Sequence, residues 1–338
     1  MHKFALLLAM LALASPAGAV VLMIDYSYDT SNFFGNATAK AAVEAAAADI
    51  SNAITTNLGA VTTDVYTSTN GISSATFDWS LNVTNPATGG VAPLATFSAS
   101  ADQITLFAGA RQLSGSTLGL GGPIGASAVL SGLSTESAWV GVVTGAQNAS
   151  NTAMLRGGGP VIGTLTGSST LGATTANFSL GYGALFGSLA FDSDSVWHYD
   201  HTTAVGIGES DLYTVALHEL LHAIGFGTSQ TWNSLKSGTT WTGSNVISLM
   251  GAGTNLVSTN GDHIVDGAMS YRISDGVAQE AVMDPTVTVG TRKLLTELDL
   301  AFLRDLGFET VPEPSRMLLL LVGVGWTLLI RRRELTVR

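Results

Sequence analysis

The stretch SDLYTVALHELLHAIGFG, residues 210–227, decides how the whole chain is interpreted. It places His218, Glu219 and His222 in an HExxH pattern within an otherwise apolar, helix-compatible segment. Residues four apart lie on the same face of a helix, so the two imidazoles can share one metal ion. HExxH motifs use this spacing for zinc, and Glu219 is placed to reach a metal-bound water and act as general base.

The residues that flank this segment predict where its helix begins and ends. Ser210 is the predicted N-cap, and Gly225 is predicted to end the helix in the left-handed conformation. The alternative is a surface helix that carries His and Glu by chance. A charged Glu between two His in an apolar helix is costly unless something compensates it, and this cost favours a zinc site.

Composition limits the classes of protein to be considered. The chain has 338 residues, of which 46% are hydrophobic, and this allows a sizeable core in one large domain or two. Its formal net charge of −11 argues against nucleic acid as a partner, because phosphate binding needs clustered Lys and Arg. The absence of Cys excludes disulfides, thiol catalysis and Cys zinc ligands.

The N-terminal part of the chain predicts export and then an α/β layer. Residues 1–19 have a charged start, an apolar run and a small-residue A-x-A cleavage site, as in a secretory signal peptide. Residues 20–28 predict a strand, and the Ala-rich residues 39–58 predict a helix with Thr38 as its N-cap. Strand followed by helix is typical of α/β layer arrangements.

The middle of the chain, from about residue 61 to residue 174, is dominated by Ser, Thr, Gly, Ala and Asn. Short apolar runs predict strands at residues 76–83, 103–107 and 139–143. Residues 176–192 predict one or two further strands just before the HExxH helix. An edge strand there would be able to bind an extended peptide by strand addition.

A polar cluster precedes the HExxH helix and comprises Asp192, Asp194, His198, Asp200 and His201. It offers ligands for calcium or for a second zinc. Its alternating carboxylates lack a defined calcium-loop signature, so a solvated loop is the favoured interpretation and calcium has no further support.

A catalytic zinc site needs a third protein ligand, with one position left for water. The chain has six His, and His2 would leave with the signal peptide. Besides the helix pair, His198, His201 and His263 therefore remain as candidates.

At this point the sequence resembles the metzincin metallopeptidases. The match to the HExxHxxG core of that clan consists of His218, Glu219, His222 and Gly225. The usual form of the clan has a third His where this chain has Thr228. A neutral hydroxyl binds zinc poorly beside imidazole, so Thr228 is not expected to be a ligand.

The leishmanolysin-like branch of that clan, which has a distal third His, is the better match. His263 lies 41 residues beyond His222 and resembles that distal ligand. The sequence Met-Asp-Pro at residues 283–285 resembles the Met-turn, and residues 295–307 resemble the closing helix. Taken singly, His263 would be an ordinary loop residue and Met283 a core methionine. The order of the motifs favours the ligand and the Met-turn.

A thermolysin-type site would use a downstream carboxylate instead. Glu280 and Glu297 are the candidates for such a third ligand. Gly225 and the Met-Asp-Pro sequence favour the metzincin arrangement over this alternative.

The C-terminal tail has its own ordered pattern. Val-Pro-Glu-Pro-Ser at residues 311–315 is followed by a mostly apolar run at 317–330 and by three Arg at 331–333. This order is similar to the PEP-CTERM sorting signal, which in its family is processed by a membrane transpeptidase, the exosortase. A plain membrane anchor is the alternative, and in both cases the Arg cluster should stay inside the cell.

We therefore predict a signal peptide at 1–19, a metzincin-like zinc peptidase domain at 20–309 and a sorting segment with a transmembrane helix at 310–338. The expected fold class is α/β (α+β), with a mixed twisted sheet above a cleft whose floor is the HExxH helix.

The resemblance implies a secreted zinc endopeptidase, anchored transiently in the inner membrane and then passed to the cell surface or outside. Its metal ligands would be His218, His222 and His263, and Glu219 would be the general base. Two other functions stay open. One is a non-catalytic surface or exopolysaccharide-matrix protein that retains the fold, and the other is a metallohydrolase of non-peptide substrates.

Overall fold

The computed structural model describes residues 20–94 and 96–312, which combine helices with several β-sheets in an α+β arrangement. The predicted signal peptide and the apolar tail run at residues 317–330 lie outside the described residues. Within the part of the chain that is described, no helix is both long enough and apolar enough to cross a membrane.

The helices and strands follow one another along the whole described chain. The helices are α1 (Ala37–Ala53), α2 (Trp139–Met154), α3 (Leu212–Ala223), α4 (Gln230–Leu235), α5 (Ser244–Met250) and α6 (Glu297–Asp305). The strands are β1 (Val21–Asp25), β2 (Val65–Asn70), β3 (Ser73–Thr84), β4 (Val91–Leu94), β5 (Gln103–Arg111), β6 (Gly119–Pro123), β7 (Gly125–Leu133), β8 (Gly163–Leu171), β9 (Thr174–Tyr182), β10 (Phe186–Asp192), β11 (Trp197–His198), β12 (Ser210–Asp211), β13 (Lys236–Ser237), β14 (Thr240–Trp241), β15 (Met269–Tyr271) and β16 (Ala278–Glu280).

A four-stranded sheet in the order β1-β5-β10-β6 carries the helix with the HExxH pattern. β1, β5 and β10 are parallel, whereas β6 runs antiparallel to β10 at the edge. α3 packs against β6 and β10, and α1 packs against α3 and β1. β10 is buried throughout, as expected for a strand covered on both faces.

The predicted edge strand within residues 176–192 is therefore only partly right. Two strands form there: β10 lies between β5 and β6 and has no free edge, whereas β9 pairs with β8 alone among the described strands. The edge strand on this side of the sheet is β6, a Gly-rich strand that precedes β10 in the sequence and pairs with it.

A second sheet, formed by β2, β3, β4 and β7, packs against α2. On β3, Phe77, Trp79 and Leu81 are buried, whereas the alternating residues between them are polar and exposed. This alternation is what places one face of an antiparallel sheet on a core. β8 and β9 form a two-stranded ladder beside α2.

The strand predicted at residues 139–143 is wrong, because this run begins α2. Short apolar runs rich in Val fit either a strand or a buried helix, and periodicity over five residues cannot separate them. The buried residues of α2, which include Trp139, Val142, Val143 and Ala146, recur every three or four positions. That spacing is one face of a helix.

The predicted cap of α1 is also wrong by two residues. Asn36 is the N-cap, and its side-chain oxygen accepts hydrogen bonds from the N–H groups of Thr38 at 3.0 Å and Ala39 at 3.3 Å. Thr38 lies inside the first turn. Asn and Thr are both good caps, so composition alone did not decide between them.

Arg156 joins the two halves of the core. It is 3% exposed, and its guanidinium donates to four main-chain carbonyls, those of Gly59, Ser100, Gln103 and Ala184, at 2.6–2.9 Å. These carbonyls precede or begin β5 and β10 and follow α1. The buried cation thus ties the end of α2 to the start of the central sheet.

Candidate metal centre

α3 is buried on all sides, and this requires its polar residues to be satisfied within the protein. Its N-cap is Asp211, which accepts from the Thr214 N–H at 3.0 Å and the Thr214 hydroxyl at 2.7 Å. The predicted cap, Ser210, instead lies in β12 and pairs with Trp197. Gly225 has a φ of +115° just beyond the helix, as its predicted role in ending the helix requires.

Asp211 is itself held by Arg292, which lies in the segment just before α6. The guanidinium donates to both carboxylate oxygens, at 3.0 and 2.7 Å. Two-pronged pairs of this kind fix geometry as well as charge. This pair fixes the start of α3. It thereby fixes the position of the HExxH residues relative to the sheet.

Three His rings converge at the C-terminal half of α3. The Nε2 atom of His222 lies 3.1 Å from that of His218 and 3.1 Å from that of His263, and the remaining separation is 3.0 Å. His218 and His222 come from α3, whereas His263 comes from a loop 41 residues further along. The structure therefore brings together the three residues that the sequence predicted as ligands.

The other ring nitrogen of each His faces an oxygen. His218 Nδ1 lies 2.9 Å from the Val282 carbonyl, and His222 Nδ1 lies 2.9 Å from the Phe226 carbonyl. His263 Nδ1 lies 2.5 Å from Oδ1 of Asp262. These oxygens are acceptors, so the hydrogen-bond network assigns the ring proton to each Nδ1.

Three unprotonated Nε2 lone pairs consequently point at one another. No proton lies between them to share, and such a cluster is repulsive without a cation. Nitrogens about 2.0–2.1 Å from a tetrahedral zinc lie roughly 3.3 Å apart, close to the separations seen here. The group could hold a metal ion, and its donor set fits one that prefers imidazole.

Burial keeps two of these rings neutral, as metal binding requires. Loss of solvent, with the neighbouring His263 as a further cause, lowers the pKa of His222 to about 4. Burial and the adjacent His222 hold the pKa of His218 well below its ordinary value.

An open cleft of about 600 Å³ lies over the three rings. It is lined by residues 116–121, by α3 and by residues 285–287. Glu219 lies on its floor and is 7% exposed, and burial raises the pKa of its carboxyl to about 8. A backbone hydrogen bond from Gly121 opposes this rise, and a nearby divalent cation would oppose it further.

The turn around Met283 supports two of the rings from below. The Val282 carbonyl accepts from His218, and the Met283 carbonyl accepts from the N–H of Ile264, next to His263, at 2.9 Å. Met283 is fully buried. The turn therefore links the helix ligands to the distal one.

Asp299 of α6 holds this turn, and sequence reasoning missed it. Its buried carboxylate accepts from the N–H groups of Val282 at 3.1 Å and Met283 at 3.3 Å. It also completes a capping box with Thr296. The capping-box pattern T-x-x-D was readable in the sequence, but its second role at the turn was not.

Gly227 was missed as well, although it decides how closely the His263 loop approaches α3. Its φ is +73°, and a Cβ there would lie 2.0 Å from the carbonyl oxygen of Asp262. Only glycine allows both the conformation and the contact.

The polar cluster before α3 is not gathered into a metal site. His198 uses Nδ1 on Glu209 at 2.7 Å and faces the Asp200 carbonyl with Nε2 at 2.9 Å. Asp192 is buried and accepts from the Leu113 N–H and the Ser195 hydroxyl. Over residues 20–94 and 96–312, the three converging His form the one group of three or more potential ligands.

The other candidate ligands do not join the three His. Thr228 donates its hydroxyl to the His222 carbonyl at 2.8 Å, as a cap to the helix end. Glu280 pairs with Lys293 at 3.0 Å, and neither Glu280 nor Glu297 is among the residues that line the cleft.

Comparison with known proteins adds no relative to these observations. No protein-family model, curated protein or solved structure matches this chain.

Proposed function

We propose that this chain is a zinc-dependent endopeptidase with a metzincin-like catalytic domain. One observation carries the proposal: three imidazole lone pairs meet on the floor of an open cleft, directly beside the buried carboxyl of Glu219. A metal-binding triad needs no adjacent carboxyl for structure alone, whereas hydrolysis needs a base there.

The proposed ligands are His218, His222 and His263. A zinc ion held there would supply Lewis-acid chemistry, making a water more acidic and polarising a carbonyl. Glu219 takes a proton from the attacking water while the oxygen of that water bonds to the carbonyl carbon. The carbon–nitrogen bond then breaks, and Glu219 delivers that proton to the leaving amine.

The cleft suits a polypeptide substrate. β6 is an edge strand whose residues Gly119 to Gly121 line the cleft, so we expect an extended chain to pair along this edge, apart from the N–H of Gly121, which bonds to Glu219. A non-peptide substrate has no need of such an edge. A matrix protein without activity has no need of the base.

The test is metal analysis combined with a broad peptide-library digest. We expect about one zinc per chain and cleavage by the wild type. Glu219→Gln should keep the zinc and lose nearly all activity, because the base is removed and the ligands are not. Equal activity in both proteins would contradict the role of Glu219, and inactivity of both would favour the non-catalytic alternative.

Export and sorting form the second part of the proposal. A processed sorting signal predicts a mature protein cut close to residues 312–314 and released or passed outward. In both models the three Arg stay inside the cell, because moving them across lipid is costly, but a plain anchor is not cut and keeps Arg338. C-terminal mass spectrometry of the native protein separates the two. Replacing residues 312–314 with Ala should spare insertion and block processing.

A further inference from the structure

Two glycines of β6 lie against the predicted general base. A Cβ built on Gly119 would lie 2.6 Å from Cγ of Glu219, 2.7 Å from Oε1 and 2.9 Å from Cδ. A Cβ on Gly121 would lie 2.1 Å from the main-chain oxygen of Glu219 and 2.7 Å from its carbonyl carbon. Real Cβ atoms do not approach other atoms this closely, so a side chain at either position would force its neighbour to move.

The two positions have different consequences. At Gly121 the neighbour is the backbone of α3, which cannot move without the helix. At Gly119 the neighbour is the end of a side chain, which can rotate about its χ angles. A methyl group on Gly119 would therefore leave the helix in place and turn the carboxylate away.

The strand also contains its own control. Gly119 and Gly121 are two residues apart, so they present the same side of β6 to α3. Gly122 points the other way, and a Cβ there would meet nothing within 4 Å. None of the three has a positive φ, so alanine is conformationally acceptable at each.

We propose that Gly119 and Gly121 form a glycine ledge that positions the carboxylate of Glu219 over the metal centre, an inference that rests on the proposed peptidase function. Gly121 sets how closely α3 approaches the sheet, and Gly119 limits the rotamers open to the carboxylate. A base displaced by about 1 Å loses on the order of a hundredfold in rate.

Gly119→Ala and Gly122→Ala are the test pair. Gly119→Ala should keep its zinc and its Tm, lower kcat at least about tenfold and leave KM within about twofold. Gly122→Ala should match the wild type in zinc content, Tm, kcat and KM. The further substitution Glu219→Gln should lower kcat much less in the Gly119→Ala background than in the wild type, because the base is already misplaced.

Crystal structures of the two zinc-loaded variants decide the matter independently of turnover. The Glu219 carboxylate should be displaced in Gly119→Ala and unmoved in Gly122→Ala. An unmoved carboxylate in Gly119→Ala overturns the ledge, whatever the activity. If the wild type cleaves no peptide, the proposed function fails while this structural comparison still tests the ledge.

If Gly119→Ala fails to fold, a second substitution still tests the contact. Glu219→Asp shortens the side chain by one methylene and makes room for the added methyl. Restoration of folding by Glu219→Asp in the Gly119→Ala background supports the contact as the cause. Failure to restore it overturns the assignment.

Discussion

Each His of the candidate metal centre directs its Nε2 atom at the cluster. The oxygen that faces its Nδ1 atom orients the ring. Partners of this kind hold a ligand ring in one tautomer and contribute to metal affinity. The carboxylate partner of His263, Asp262, is adjacent in sequence, whereas the partner of His218 is 64 residues away. His263 and His222 are therefore oriented by neighbours in sequence, and His218 is oriented by tertiary structure.

The first prediction concerns His263 as the third ligand. His263→Ala should lose most of its zinc on dialysis, because two imidazoles alone hold the ion weakly. His198→Ala is the matched control, since it removes a His whose ring is committed to Glu209. Metal content by mass spectrometry checks both, and the reverse pattern would show that the third ligand was misassigned.

The convergence of the three His was predictable from sequence, but the groups that support their rings were not. HExxH spacing, one distal His and Met-Asp-Pro were sufficient to name His218, His222 and His263. Gly119 and Gly227 were not identifiable, because nothing local distinguishes a glycine under steric demand from one in a loop. That demand comes from atoms up to 100 residues away.

At the scale of elements, α6 acts as the brace of the metal centre. Its capping box uses Asp299 to begin the helix and, with the same carboxylate, to hold the turn beneath His218. Burial raises the pKa of this carboxyl, and its several hydrogen bonds act in the opposite direction.

The second prediction follows from this double use. Asp299→Ala strands buried N–H groups at about 1–3 kcal/mol each and frees the carbonyl that orients His218. We expect lower stability and a zinc affinity reduced about 10–100-fold. Asp305→Ala is the control on the same helix, since Asp305 accepts from Trp241 and Asn245 instead. It should lower the stability in urea and leave zinc affinity by chelator competition unchanged.

Element types were predictable where the pattern was long and uncertain where it was short. α3 was predicted from the HExxH spacing within an apolar segment, and α6 from the resemblance of residues 295–307 to a closing helix. The five-residue run that opens α2 did not reveal its helix, because its partners β2, β3 and β9 are distant in sequence. The edge position of β6 is likewise a property of strand order, which composition does not encode.

At the scale of the whole molecule, the third prediction concerns Arg156, which ties the end of α2 to the central sheet. Arg156→Lys keeps the charge but offers three donors from one point in place of a planar fork that reaches four carbonyls. We expect a loss of about 3 kcal/mol or more in the free energy of unfolding, as for a broken buried network. Arg111→Lys is the matched control, since Arg111 is half-buried and donates to the Pro86 carbonyl. Equal losses in urea would contradict the special role of Arg156.

The distance along the chain between His222 and His263 has a consequence for how this protein endures its surroundings. An ion bound by both closes a ring of 41 residues in a chain without cysteine. Because the unfolded chain has no preformed site, the free energy of binding this ion would add to the free energy of folding. The ion would thus act as a cross-link that reductants do not affect and that chelators remove. The supply of the ion would then govern the durability of the protein as well as its chemistry.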